Sequence, residues 1–208
     1  MDDVVAITLF RHGLTEENKR QAYVGWTDSV LTEEARLALS SIRLQAKDYD
    51  LFISSDLNRC VTTMNLLFPN IKPIKLAELR EMNFGIFEGK TYADLKDDMN
   101  YQRWINQPFK EVIPGGESFQ WFTYRVDKGW NRVVDMIFRN HAKNVFIVTH
   151  GGVIRYLLTR YSEEKKEFWD WKIEHGTGYV LKFRKTDLRR GEPCISLQEV
   201  PLTGKRLG

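Results

Sequence analysis

The sequence predicts a three-layer α/β/α sandwich on a mostly parallel central sheet, and three observations lead there. Short apolar runs rich in β-branched residues occur at 4–10, 51–54 and 145–149. Helical patterning follows each of them, and alternating strands and helices argue for a largely parallel sheet covered on both faces. The chain has 208 residues and neither repeats nor low-complexity linkers, so it can bury a full core as a single domain over 1–208 without disulfides or a structural metal.

The elements follow in order. Residues 4–10 read as a buried strand, and residues 11–30 lack helical periodicity, which makes a long loop. Thr32 can cap a helix with Glu33 and Glu34 in its first turn, and Leu37, Ile42 and Leu44 give it an apolar face to about Lys47. After a second strand at 51–54, Asp56 stands where an N-cap belongs. It opens a helix through Leu67 with Cys60, Met64 and Leu67 on one face, stopped by Pro69. A lid-like region over about 91–140 reads as helices, broken at Pro114-Gly115-Gly116 and restarted with Ser118 as cap. The strand at 145–149 runs through Gly151-Gly152 into a helix over 153–161. Two last strands, 179–183 and 195–200, flank a charged turn around 187–192.

Lys and Arg total 31 against 28 Asp and Glu, a net charge of +3 spread along the chain. A nucleic-acid surface is not indicated, although the excess suits a small anionic substrate. Cys60 and Cys194 have neither CxxC nor Cys/His spacing, against a zinc site or a disulfide framework, so a reducing, cytoplasmic setting is expected. The apolar run ending at Phe10 is too short for a signal peptide or a membrane span. Neither a metal nor an organic cofactor is expected.

Three strands end alike: Phe10 runs into Arg11-His12-Gly13, Ser54-Ser55 into Asp56-Leu57-Asn58-Arg59, and Thr149 into His150-Gly151-Gly152. In open α/β sheets ligands bind beyond the carboxyl ends of the strands, so these junctions are expected to converge. Two arginines and two histidines there suit phosphoryl transfer. Arg11 and Arg59 offer forks that match phosphoryl oxygens. One imidazole can attack phosphorus if its other nitrogen donates to a backbone acceptor, and His12 before Gly13 is placed for this. His150 suits a charged role as imidazolium beside the phosphate, with the Gly151 N–H adding a donor. Departure of an alkoxide needs a proton and attack by water needs a base; one carboxyl can do both. The loop from Glu78 through Glu81 to Gly85 offers two candidates, and a carboxyl beside a phosphate keeps its proton through charge repulsion and partial burial.

These residues resemble the histidine phosphatase superfamily, in its phosphoglycerate mutase-like branch. Arg11-His12-Gly13-Leu14-Thr15-Glu16-Glu17-Asn18 is similar to that family's R-H-G-x-T-x-x-N signature. The blocks Gly25-Trp26-Thr27-Asp28, Leu31-Thr32-Glu33, Ser54 to Arg59, Leu79 to Gly85, Pro114 to Ser118 and Val148 to Gly152 follow in the family's order over most of the chain. The resemblance implies a phosphoglycerate mutase-like fold, His12 as nucleophile, Arg11, Arg59 and His150 as the phosphate pocket, and Glu81 as proton donor. It further implies that Asn18 contacts the phosphate or its loop and that the Val24-Gly25 backbone lines the mouth. Val30, Ala35, Cys60 and Val61 depart from the pattern without touching its chemistry. His175-Gly176-Thr177 stands where the family often has Asn or Thr with small residues, and its meaning is open.

The family's chemistry serves both phosphatases and mutases. About thirty residues separate Glu81 from Pro114, whereas the mutases carry a longer insertion there that closes over the substrate. Hydrolysis of a small phosphorylated metabolite is therefore expected, ahead of a mutase or a silent phosphoester-binding domain. His141 and His175 lack a partner motif and read as surface or loop residues, and Cys60 as simply buried. Trp104, Phe109 and Trp121 are candidate lid residues. Monomer and homodimer are both compatible with the sequence.

Overall fold

The computed structural model describes residues 3–42 and 44–200. Its sheet has six strands: β1 (Val4–Arg11), β2 (Leu51–Ser54), β3 (Ile74–Lys75), β4 (Asn144–Thr149), β5 (Gly178–Arg184) and β6 (Ser196–Val200). They lie in the order β3-β2-β4-β1-β5-β6. The helices are α1 (Glu16–Lys19), α2 (Glu33–Ser41), α3 (Asn58–Leu67), α4 (Tyr92–Leu95), α5 (Met99–Asn106), α6 (Phe119–Arg139), α7 (Gly151–Tyr161) and α8 (Lys185–Arg190).

Side-chain alternation in the central strands sorts the helices into two layers. Val5, Ile7 and Leu9 of β1, with Val145 and Ile147 of β4, share a core with Val126, Trp130 and Val133 of α6 and Val153, Ile154 and Leu157 of α7. Phe10, Phe146 and Val148 point the other way, onto Leu39 of α2 and Cys60, Met64 and Leu67 of α3. Burying each large apolar side chain contributes roughly 1.5–3 kcal/mol. Each helix is thus held to the sheet by the stripe facing it, and the expected three layers are present.

Strand register places the site. β1 and β4 pair in parallel with Arg11 opposite Thr149, and β2 pairs with β4 with Ser54 opposite Val148. His12, Ser55 and His150 therefore leave three neighbouring strands at one level.

Several expectations need correction. The sheet is mixed: β1, β2, β3 and β4 pair in parallel, whereas β5 runs antiparallel to both β1 and β6. The loop at 11–30 contains the short helix α1, capped by Thr15, whose Oγ1 accepts the Asn18 N–H. Thr32 caps α2 as expected, but the helix ends at Ser41 instead of near Lys47. Leu37 is 65% exposed and Leu39 is the buried residue, because one apolar residue per turn is enough on so short a helix. Asp56 is not the cap of α3, which starts after Leu57; its carboxylate is drawn away by Arg80 in a two-pronged ion pair at 2.7 and 2.5 Å. The short β3 adds an edge strand that two residues could not announce, and α8 forms in the segment expected to turn. Ser118 does cap α6, accepting the Trp121 N–H. Among the described residues no helix is long and apolar enough to cross a membrane.

Candidate active site

His12 follows the last residue of β1 and is buried. Its Nδ1–H donates to the Gly13 carbonyl at 2.7 Å, which leaves Nε2 as the free lone pair. The pKa of the ring is held well below its ordinary value, first by burial and then by the positive charge of Arg59, with His175 and Arg11 adding to it. A neutral imidazole with one nitrogen committed is the form that a nucleophile requires.

Arg59 is buried on the first turn of α3. Its guanidinium donates to the Gly25 carbonyl at 2.5 Å, to the Thr27 carbonyl at 3.1 Å and to His150 Nδ1 at 3.2 Å. Arg11 donates to the Ile173 carbonyl at 2.5 Å, and burial pulls its pKa to about 10. The Nε of each is buried without a partner among the described residues. Both guanidiniums act on the His12 ring as neighbouring positive charges, a setting suited to an oxyanion. A Cβ at Gly151 would stand 3.2 Å from Arg11 Cζ, so glycine there lets the guanidinium lie against the start of α7.

His150 is fully buried, its ring 5.2 Å from that of His12. Nδ1 accepts from Arg59, so the remaining proton is on Nε2, which donates to Ser55 Oγ at 2.9 Å. Burial, then the charges of Arg59, His12 and Arg11, hold its pKa well below the ordinary value. Without an anion in the site the ring is neutral, because a third positive charge in this buried cluster costs more than the cluster can offset. Cys60 Sγ sits 3.4 Å from His150 Nε2, and burial pushes its thiol up to about 12.

The structure separates the two candidate carboxylates. Glu78 forms an ion pair with Arg132 at 2.5 Å. Glu81 points to the site instead: Oε2 accepts the Gly152 N–H at 2.9 Å and Oε1 accepts the Met82 N–H at 3.0 Å. Arg125 of α6 clasps this loop, donating to the carbonyls of Glu78, Arg80 and Glu81 while holding Glu117 through two bonds at 2.8 and 2.7 Å. Trp26 Nε1 also donates to the Glu81 carbonyl. Glu88 ties the mouth loop to the same region, accepting the Trp26, Thr27 and Phe84 N–H groups.

A cavity of about 480 Å³ opens from Arg11 and Glu81, lined by Asn18, Val24, Phe84, Trp104, Pro108, Arg155 and Trp169 among others. Asn18 Oδ1 accepts from Thr15 Oγ1, which orients its amide at the rim. Of the lid candidates, Trp104 lines the cavity and Phe109 packs on Trp169 at 6.2 Å, whereas Trp121 lies against Tyr124 outside it.

Three participants escaped the sequence reading. His175 is not a free loop residue: its ring lies 5.2 Å from His12 and its Nδ1–H donates to the His12 carbonyl at 3.3 Å, with burial pulling its pKa to about 3. Arg125 and Arg155 sit in ordinary helical sequence, and only packing brings them to the Glu81 loop and the cavity. The one available signal was the His175-Gly176-Thr177 departure itself. His141 is exposed, as expected.

Residues 7–190 match the family described as histidine phosphatase superfamily, branch 1. The adenosylcobalamin/alpha-ribazole phosphatase of Escherichia coli (strain K12) is 30% identical over 175 residues, covering 81% of this chain and 85% of that protein. A 2,3-bisphosphoglycerate-dependent phosphoglycerate mutase of Cytophaga hutchinsonii is 28% identical over 160 residues, covering 73% and 75%. Among solved structures, the alpha-ribazole phosphatase from Shigella flexneri is similar with a TM-score of 0.77 at 27% identity, covering 86% of this chain and 91% of that one. A match that spans most of the chain, from β1 to α8, and includes every strand junction of the site means that this chain belongs to the histidine phosphatase superfamily.

Proposed function

We propose that this chain hydrolyses small phosphomonoesters in two steps through a phosphohistidine on His12. His12 Nε2 attacks phosphorus and forms the P–N bond while the P–O bond to the leaving group breaks. The Glu81 carboxyl passes its proton to the departing oxygen. Water then attacks the phosphohistidine, Glu81 takes a proton from it, and inorganic phosphate leaves with His12 restored. Arg11 and Arg59 neutralise the equatorial oxygens, with His150 and the Gly151 N–H beside them, Asn18 at the rim and the Val24-Gly25 backbone at the mouth.

The observation that carries this reading is the Nδ1–H bond from His12 to the Gly13 carbonyl, which leaves Nε2 unprotonated in the field of the Arg59 and Arg11 charges. Hydrolysis is favoured over return of the phosphoryl group to a substrate by the short stretch between Glu81 and Pro114. A reducing, cytoplasmic setting accords with two buried free thiols, Cys60 and Cys194.

Rapid acid-free quench with labelled substrate tests the proposal. The expected result is an acid-labile, base-stable phosphoenzyme that His12→Ala fails to form, with phosphate release undiminished by chelator. A phosphoenzyme formed by His12→Ala would overturn it.

A further inference from the structure

Arg155 lies on α7 one turn beyond Gly152, the residue whose N–H holds Glu81. It lines the cavity shared by Arg11 and Glu81, whose other walls include Phe84, Trp104, Pro108 and Trp169. Its Nε donates to the Trp171 carbonyl at 3.1 Å and its guanidinium lies 5.7 Å from the centre of the Trp169 ring, so the side chain is held in place. Arg80, Arg125, Arg132 and Arg160 each have a carboxylate partner. Among the described residues none is within ion-pair distance of Arg155, and the Arg11 guanidinium repels it across the cavity.

The phosphoryl group has its own cations in Arg11 and Arg59. On the phosphatase reading the proton from Glu81 goes to the bridging oxygen, and the cavity that Glu81 shares with Phe84, Trp104, Trp169 and Arg155 is the space open to the leaving group. A fixed guanidinium whose terminal nitrogens have no hydrogen-bond partner among the described residues is suited to two parallel bonds with an oxyanion. We infer that Arg155 is a specificity-determining residue that binds an oxyanion carried by the leaving group. Preferred substrates are then phosphomonoesters in which a flat apolar body separates the phosphoryl group from a second anionic group, a carboxylate or a phosphate.

This inference rests on the phosphatase reading, and the test separates the two. The substrates are the 3- and 4-isomers of carboxyphenyl phosphate, their neutral near-isosteres the carbamoylphenyl phosphates, and 4-(phosphonomethyl)phenyl phosphate. For the wild type, kcat/KM of the better carboxyphenyl phosphate is expected to exceed that of its carbamoyl counterpart by about tenfold, as one charge-assisted bidentate contact allows. The ranking of carboxylate against phosphonate identifies the anion. In Arg155→Met, and in Arg155→Gln, which keeps an N–H near the Trp171 carbonyl, the ratio should fall to within about twofold of unity, measured on whichever variant melts like the wild type. Hydrolysis without charge discrimination by the wild type, or discrimination retained in a folded variant, overturns the inference alone. Hydrolysis of none of the esters overturns the phosphatase reading and the inference with it.

Discussion

Glu81 Oε2 accepts the backbone N–H of Gly152 at 2.9 Å, which fastens the proposed proton donor to the first turn of the helix that His150 opens. Residue 152 must be glycine for this, because a Cβ there would overlap Glu81 Oε1. Gly152→Ala should therefore separate stability from activity. Alanine favours a helix by about 1 kcal/mol over glycine, so the melting temperature should hold or rise. Displacement of the carboxyl should lower kcat/KM for alkyl phosphates on the order of a hundredfold. Full activity in this variant would show that Glu81 does not need this seat.

Glu81→Gln retains an oxygen for the Gly152 N–H but has no proton to give. Alkyl phosphates, with poor leaving groups, should lose on the order of 10²- to 10⁴-fold in kcat, whereas 4-nitrophenyl phosphate should lose far less. Steady-state rates over a series of leaving groups would decide the matter, and equal damage across the series would assign proton transfer elsewhere.

Arg125 joins Glu117 to three carbonyls of the Glu78 to Glu81 loop, and both ion-pair partners are largely shielded from water. Arg125→Met leaves the Glu117 carboxylate without its cation. The expected cost is about 3 kcal/mol, seen as a drop in melting temperature of roughly 6–12 °C. A Glu117→Gln, Arg125→Met double variant should be less destabilised than the sum of the singles; strict additivity in calorimetry would contradict a direct pairing.

His12, His150 and His175 are all held below their ordinary value of 6.5, with burial the first cause in each. The unfolded chain takes up these three protons as the pH falls through about 6.5 and the folded chain does not. Their contribution to stability is therefore complete above that pH and is lost below it. Between pH 7.5 and 5.5 the three together should remove about 4 kcal/mol, measurable by urea denaturation at the two values. His175→Asn should recover about one third of the difference, and a urea midpoint indifferent to pH would refute the neutral cluster.

The central strands, the capped helices α2 and α6 and the Cys60, Met64 and Leu67 face of α3 were legible in the sequence, because periodicity and capping act over a few residues. So were the strand ends that carry His12 and His150 and the helix that carries Arg59, whereas the loop from Glu78 to Glu81 offered two carboxyls without choosing between them. The antiparallel course of β5 was not legible. Strand direction depends on pairing with β1, more than 160 residues away in the chain, and leaves no mark on composition.

By itself, then, the sequence determined which chemical groups were present and which strand ends would deliver them. Only the tertiary structure decided between Glu78 and Glu81, because an ion pair with Arg132 on α6 occupies one and the Gly152 N–H seats the other. It also buried His150 beside Arg59, which lowers the pKa of that ring, and it placed His175 against His12 across 163 positions of chain. Burial and electrostatic fields are sums over neighbours, and those neighbours exist only once the chain has folded.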